Sequence, residues 1–337
     1  MRFYLIILLS LVFNLQNIAQ GCCSGGAGSP IAGGAATGVL QENQMEISVN
    51  YQYNKADKFF SENRDTIPLF NNFNSDYLFV RTDYGLSKKL TMSIALGYFF
   101  NKSQVEDPKH DSLTISSKGF SDLLLFPRYD IYNNTKNGKR TEITLGLGLK
   151  LPLGSHLDSN ETVPDVWDIS PPITQLTTGS HDLMFYTFFF RDYQKQKLRI
   201  FVNSLYIRKG YNSLGLKFGD YSSVGFFVSK TIFRKWGITA QIKGEMIDEM
   251  ELGKAREEVW DFFMWEDRQK STGSKKLFFI PQISFSHNGI TAFATSEIPL
   301  YQYLNGVQVG SQYQFTIGVN YRFLTKECES EILSLDK

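Results

Sequence analysis

Two adjacent thiols, Cys22 and Cys23, stand in a Gly- and Ala-rich stretch and admit three chemistries. Ala19-Gln20-Gly21-Cys22 is lipobox-like, pointing to lipidation of Cys22, although no branched apolar residue stands three positions before the cysteine. Vicinal thiolates also suit a soft metal, copper(I) or zinc, but no histidine neighbours them to complete a ligand set. The third chemistry is an oxidised or idle pair, which Cys328 joins if both ends of the chain share an oxidising compartment. Hydrolytic constellations are weaker. Ser286-His287-Asn288-Gly289 offers serine and histidine without a partner serine at a matching place. His181-Asp182 has the residue types of an acid–base dyad, yet neighbours in a strand point to opposite faces. His110, His156, His181 and His287 are scattered without metal-ligand spacing. The chain is read as no enzyme, with no cofactor.

A larger set of ionisable residues takes its meaning from spacing. Glu46, Arg81, Asp83, Arg128, Asp130, Glu142, Lys150, Lys243, Glu245, Glu297 and Arg322 all fall on the polar parity of alternating segments. Acids and bases are nearly balanced among them. A pore selective for one sign of ion carries rings of one charge, so this set points to pairing across a narrow lumen.

The segments that must position these charges repeat with period two from Gln44 onward. Met45, Ile47, Val49, Tyr51 and Tyr53 alternate with Gln44, Glu46, Ser48, Asn50 and Gln52. Similar rows run through Leu78–Leu86, Leu90–Tyr98, Leu123–Ile131, Ile143–Leu153, Val224–Val228, Ile238–Ile242, Leu277–Phe285, Ile290–Ile298 and Phe315–Phe323. Two Phe-rich stretches, Asp182 to Asp192 and Leu198 to Lys209, are strands whose inward face stays ambiguous. Twelve strands result. Short links (87–89, 133–140, 193–197, 233–235, 287–289) alternate with long ones (54–73, 101–118, 155–180, 210–219, 248–275, 299–311). Short periplasmic turns opposite long extracellular loops are the pattern of transmembrane barrels. Backbone groups in lipid need internal partners, so such a sheet must close. The expected fold is an all-β, closed antiparallel transmembrane barrel. Aromatic clusters at Tyr98-Phe99-Phe100, Phe188-Phe189-Phe190, Trp236 and Tyr321 with Phe323 are expected to form interfacial girdles.

Composition agrees. Lys+Arg 35 against Asp+Glu 34 leaves no basic footprint for nucleic acid. Apolar residues at 42% exclude disorder, and three cysteines exclude a disulfide scaffold. Mean hydropathy of −0.22 excludes a bundle of membrane helices. Arg2 and the eleven-residue apolar run Phe3 to Phe13 read as a secretory signal peptide over 1–20. A Gly/Ala-rich periplasmic leader follows over 21–43, read as a flexible linker in preference to a small plug. The barrel takes 44–323 and a periplasmic tail 324–337.

Several motifs carry a resemblance. Gly119-Phe120-Ser121-Asp122-Leu123, Gly148-Leu149-Lys150-Leu151-Pro152-Leu153-Gly154, Gly179-Ser180-His181-Asp182 and the Pro299-Leu300-Tyr301 region resemble a family of outer-membrane barrels known as phenol-degradation meta-pathway transporters. Tyr321-Arg322-Phe323 resembles the aromatic end of bacterial barrels generally, and the leader resembles those of some Bacteroidetes-type barrels. The resemblance implies a Gram-negative outer-membrane barrel that passes small, apolar or aromatic molecules. Its partners would be the lipid bilayer, the barrel-assembly machinery and an unidentified solute. The alternative is a non-transporting structural or binding barrel whose Cys-containing leader docks a periplasmic partner or metal. Lumen control is expected at Lys150–Gly154, where Pro152 cannot donate to the ladder. It is also expected at the charged 248–275 loop, an amphipathic lid or a passive interfacial helix with Trp260 and Trp265 at the rim.

Overall fold

The computed structural model describes residues 38–105, 114–163, 166–253 and 271–326. Its strands are β1 (Gln44–Ala56), β2 (Asn72–Ser87), β3 (Leu90–Val105), β4 (Thr114–Lys136), β5 (Lys139–Pro152) and β6 (Asp182–Tyr193). The second half comprises β7 (Leu198–Arg208), β8 (Tyr221–Ile232), β9 (Trp236–Ile247), β10 (Ser274–His287), β11 (Ile290–Val309) and β12 (Tyr313–Leu324). Each strand pairs antiparallel with the next, and β1 pairs with β12 from Gln44↔Leu324 to Lys55↔Tyr313. The sheet is therefore a closed twelve-stranded barrel with no free edge across its wall. No helix among the described residues is long and apolar enough to cross a membrane.

Alternation decides which face each side chain takes. In β1, Glu46, Ser48 and Asn50 are buried inside, while Val49, Tyr51 and Tyr53 are exposed outside. In β5, Glu142, Thr144 and Lys150 point in while Leu145, Leu147 and Leu149 form part of an outer apolar band. A one-residue slip would exchange the two sets, so burial fixes the register. Tight turns close one end. Asn137-Gly138 and Asn288-Gly289 both have positive φ at both residues, the geometry that suits two-residue hairpins.

Three expectations about the strands are corrected. The long link expected over 299–311 is strand to Val309, leaving only 310–312 as connection. Beyond Leu304, β11 projects past its neighbour and pairs with Phe59–Glu62, itself paired with Arg64–Thr66 inside the long 57–71 link. The 101–118 link is likewise shortened, because strand runs to Val105 and resumes at Thr114. Phe188 and Phe190 form no girdle. They are buried inside, 2% and 8% exposed, and only Phe189 between them faces outward. Trp236, packed edge-on against Phe285, and Tyr321, stacked on Phe323, do face outward near the turn end.

Candidate functional site

The motifs spread over β4, β5 and the start of β6 converge at the loop end of the lumen. Between Leu96↔Leu123 and Tyr98↔Phe120 the register of β3 on β4 shifts. This bulge re-aims the β4 side chains around Ser121 and Asp122. Lys150 Nζ then lies 2.8 Å from Asp122 and 2.9 Å from Asp182, and donates to Thr178 Oγ1 at 3.0 Å. Asp182 also meets Lys209 at 3.3 Å, Ser180 Oγ at 2.7 Å and the Gly210 N–H at 3.1 Å. Backbone must come close here: a Cβ on Gly154 would sit 1.8 Å from the Phe120 carbonyl oxygen.

Residues 170–181 fold over this cluster and into the opening. Thr174, Gln175, Leu176 and Thr177 are buried. Gln175 Nε2 donates to the carbonyls of Asp158 and Ser170, both at 2.9 Å, and Lys102 Nζ donates to the Gln175 carbonyl. Nothing in their polar sequence marks these residues as the inward ones. Of the two places expected to control the lumen, Lys150–Gly154 lies in this cluster, whereas Trp260 and Trp265 of the 248–275 loop lie outside the described residues. So do Cys22, Cys23 and Cys328. Outside the spanning strands, Lys217 meets Glu251 at 2.9 Å. The Glu251 carboxylate, accepting this bond, holds the Lys217 ammonium above its ordinary range.

At the turn end a second network crosses five strands. Arg81 lies 3.4 Å from Glu46 and 2.8 Å from Asp83; Arg128 reaches Asp83 at 2.9 Å and Ser93 at 3.1 Å. Arg322 Nε donates to Glu46 at 2.7 Å. Asp130 accepts from Asn133 Nδ2 at 2.9 Å, and Glu142 lies 2.7 Å from Arg140. Residues 38–43, just before β1, enter here. Leu40 is 4% exposed and its N–H donates to Thr91 Oγ1 at 2.8 Å; the Val39 N–H donates to Glu142 Oε1 at 3.1 Å.

Between these ends the lumen has two unlike walls. One is apolar and aromatic: Phe79, Phe126, Met184, Tyr186, Phe188 and Phe201 pack together, with Phe201 stacked on Phe227 at 4.3 Å. The facing wall, from β9 through β12, is more polar, although Phe278, Ile280 and Phe293 also face inward on it. Lys243 sits between Glu245, at 3.2 Å, and Glu297. A slot of about 100 Å³ opens beside them, bordered by Asn54, Ser311 and Gln314. Deeper in, Gln282 lies opposite Thr295, and Thr295 opposite Thr316. Each of these three, and Gln241, buries a polar side-chain atom without a hydrogen-bond partner among the described residues. Below that row a cavity of about 440 Å³ reaches the turn end.

The ionisable positions on the polar parity thus divide among three separate clusters and form no single centre. Asp122, Asp182, Lys209 and Lys102 join them without having been read from the sequence as lumen charges. In β6 both faces are apolar, which hid the parity of Asp182; the others lie at a bulge or strand ends. His181 is exposed while Asp182 faces inward, and Ser286 Oγ bonds Thr291 Oγ1 at 2.9 Å, so neither makes a dyad. Among the described residues no group of three or more His, Cys, Asp or Glu could hold a metal.

Closure, an outer apolar band and a charged interior define a transmembrane β-barrel of the outer-membrane type. Among solved structures, an outer-membrane channel from Pseudomonas putida F1 superposes with a TM-score of 0.63 at 11% identity, covering 85% of this chain and 97% of the other. Two porins, KdgM and NanC, cover 82% of this chain and 99% and 98% of their own, at 9% and 10% identity. Their TM-scores of 0.40 and 0.43 are too loose to carry an argument. No family model matches the chain. No curated protein matches it either.

Proposed function

We propose that this barrel is an outer-membrane channel for the passive passage of small molecules, apolar or aromatic ones among them. It would be exported by the 1–20 signal peptide, inserted by the barrel-assembly machinery, and set with its tight turns in the periplasm. The observation that carries this reading is the pairing of an aromatic wall with a more polar one. Buried polar atoms without protein partners are satisfied by water or by solute, so the row Gln282, Thr295 and Thr316 marks a hydrated thread. That thread lies between the slot beside Glu297 and the turn-end cavity. Opposite it, Phe188, Phe201 and Phe227 make the inner wall apolar, and an apolar body reaches them where their packed rings part. The Pseudomonas channel supports the reading through its fold, and the resemblance to meta-pathway transporters supports the aromatic solute class.

A second reading has its own support. The aromatic wall is packed like a core, and Leu40 and residues 170–181 fill both openings in part. That favours a non-transporting barrel. Liposome swelling with a panel of sugars, amino acids and aromatic acids decides between them. Solute-dependent swelling greatest for the aromatic acids is expected. No swelling across the panel would favour the structural barrel.

A further inference from the structure

The cavity at the turn end has a charge that the rest of the lumen lacks. Its lining includes Lys197, Arg199, Arg234, Lys235 and Arg322, against only two carboxylates, Glu46 and Asp192. Those two are already engaged: Glu46 by Arg81 and Arg322, and Asp192 by Arg199 at 4.0 Å. Lys197, Arg234 and Lys235 remain, exposed on two tight turns, with no ion-pair partner among the described residues. Behind them the cavity floor is hydroxyl- and amide-rich, with Ser284, Ser286, Thr291 and Asn320. Like charges gathered around a concave, hydrogen-bonding floor focus potential and raise the local concentration of counter-ions.

We propose that this cavity is a binding site for a small soluble oxyanion, a phosphate or carboxylate group. In it Lys197, Arg234 and Lys235 supply the charge; the Ser286–Thr291 hydroxyl pair, in which one O–H satisfies the other oxygen, leaves one hydroxyl to donate, and the Asn320 amide supplies a second donor. Ser284 and Ser286 lie on the inward parity of β10, so the site belongs to the lumen and not to the bilayer face. A volume of about 440 Å³ admits an oxyanion together with its first waters. The site makes the periplasmic mouth anion-preferring although the charges deeper in the lumen are paired. The proposal goes beyond passage of solutes and does not depend on it, because binding needs no through-path.

The test is titration calorimetry of the whole detergent-solubilised barrel with sodium phosphate at low ionic strength. Saturable binding is expected. A unit charge about 8 Å away in a water-filled cavity changes affinity roughly twofold, so Lys197→Gln/Arg234→Gln/Lys235→Gln together should weaken it about tenfold. The charge-conserving Arg234→Lys/Lys235→Arg pair should bind as the wild type does. Both variants change exposed turn residues, and their folded state is checked by the mobility shift on boiling. Equal affinity in the wild type and the triple variant would overturn the assignment, as would absence of binding. Binding that appears only after removal of 327–337, which carries Glu327, Glu329 and Glu331, would also overturn it and give the cavity to the chain's own acidic tail. Swelling without phosphate binding rejects this site and leaves the channel standing; the converse rejects the channel and leaves the site.

Discussion

Lys150 is held by three elements at once: Asp122 of β4, Asp182 at the start of β6, and Thr178 of the loop that covers the opening. Its side chain is 4% exposed, and its removal leaves Asp122 without a cation while Asp182 keeps only Lys209. Breaking a buried pair from one side costs roughly 3–5 kcal/mol. Lys150→Met is therefore expected to lower the temperature at which the folded band is lost on electrophoresis, and Asp122→Asn in the same chain should recover part of the loss. An unchanged melting of the single variant would show that the cluster contributes nothing. Lys150→Glu is expected to lose more stability still. A third carboxylate beside Asp122 and Asp182 destabilises the strand end before any pore property can be measured.

Among the described residues, 170–181 narrow the opening at the loop end. Leu176 is buried against the wall, within reach of Gly119, where an added Cβ would stand 2.9 Å from its Cδ1. The Gln175 side chain alone is tied by three polar contacts. Replacing 171–176 by a short Gly-Ser bridge should raise single-channel conductance while the barrel still shifts mobility on boiling. Equal conductance would mean that the loop lies beside the path. The period-two rows made ten strands legible because each has one apolar and one polar face. In β6 and β7 that contrast vanishes. Met184, Tyr186 and Phe188 face the lumen while Leu183, Phe185 and Phe189 face outward, so a Phe-rich sequence cannot tell in from out. The inward loop was illegible for a different reason: its burial comes from side chain–backbone bonds made by Gln175 and Lys102, which leave no periodicity. The strand extension of β11 was hidden because its partner, Phe59–Glu62, is supplied by a distant link.

At the scale of the whole molecule, one rule governs the wall: a charge is tolerated according to the parity it lands on. Leu147 stands mid-strand on the outer band, 54% exposed. A lysine there meets hydrocarbon, at a cost of about 2–4 kcal/mol near the midplane. Gln282 stands mid-strand on the inner polar wall, beside Thr295, with both amide ends unpartnered among the described residues. If that row borders water, a lysine there keeps its hydration and costs little. Leu147→Lys is therefore expected to reduce the fraction of barrel that refolds into lipid vesicles, in proportion to the depth of the residue. Gln282→Lys should refold like the wild type and bias ion passage toward anions, because it adds a positive charge to a thread lined mainly by neutral groups. The two variants introduce the same side chain into a sheet of the same closure, so their difference isolates the environment on each face. Equal loss of refolding in both would show that the Gln282 face is dry, and with it the hydrated thread on which passage depends would fall. Normal refolding of Gln282→Lys without any change in ion preference would place the thread elsewhere in the lumen.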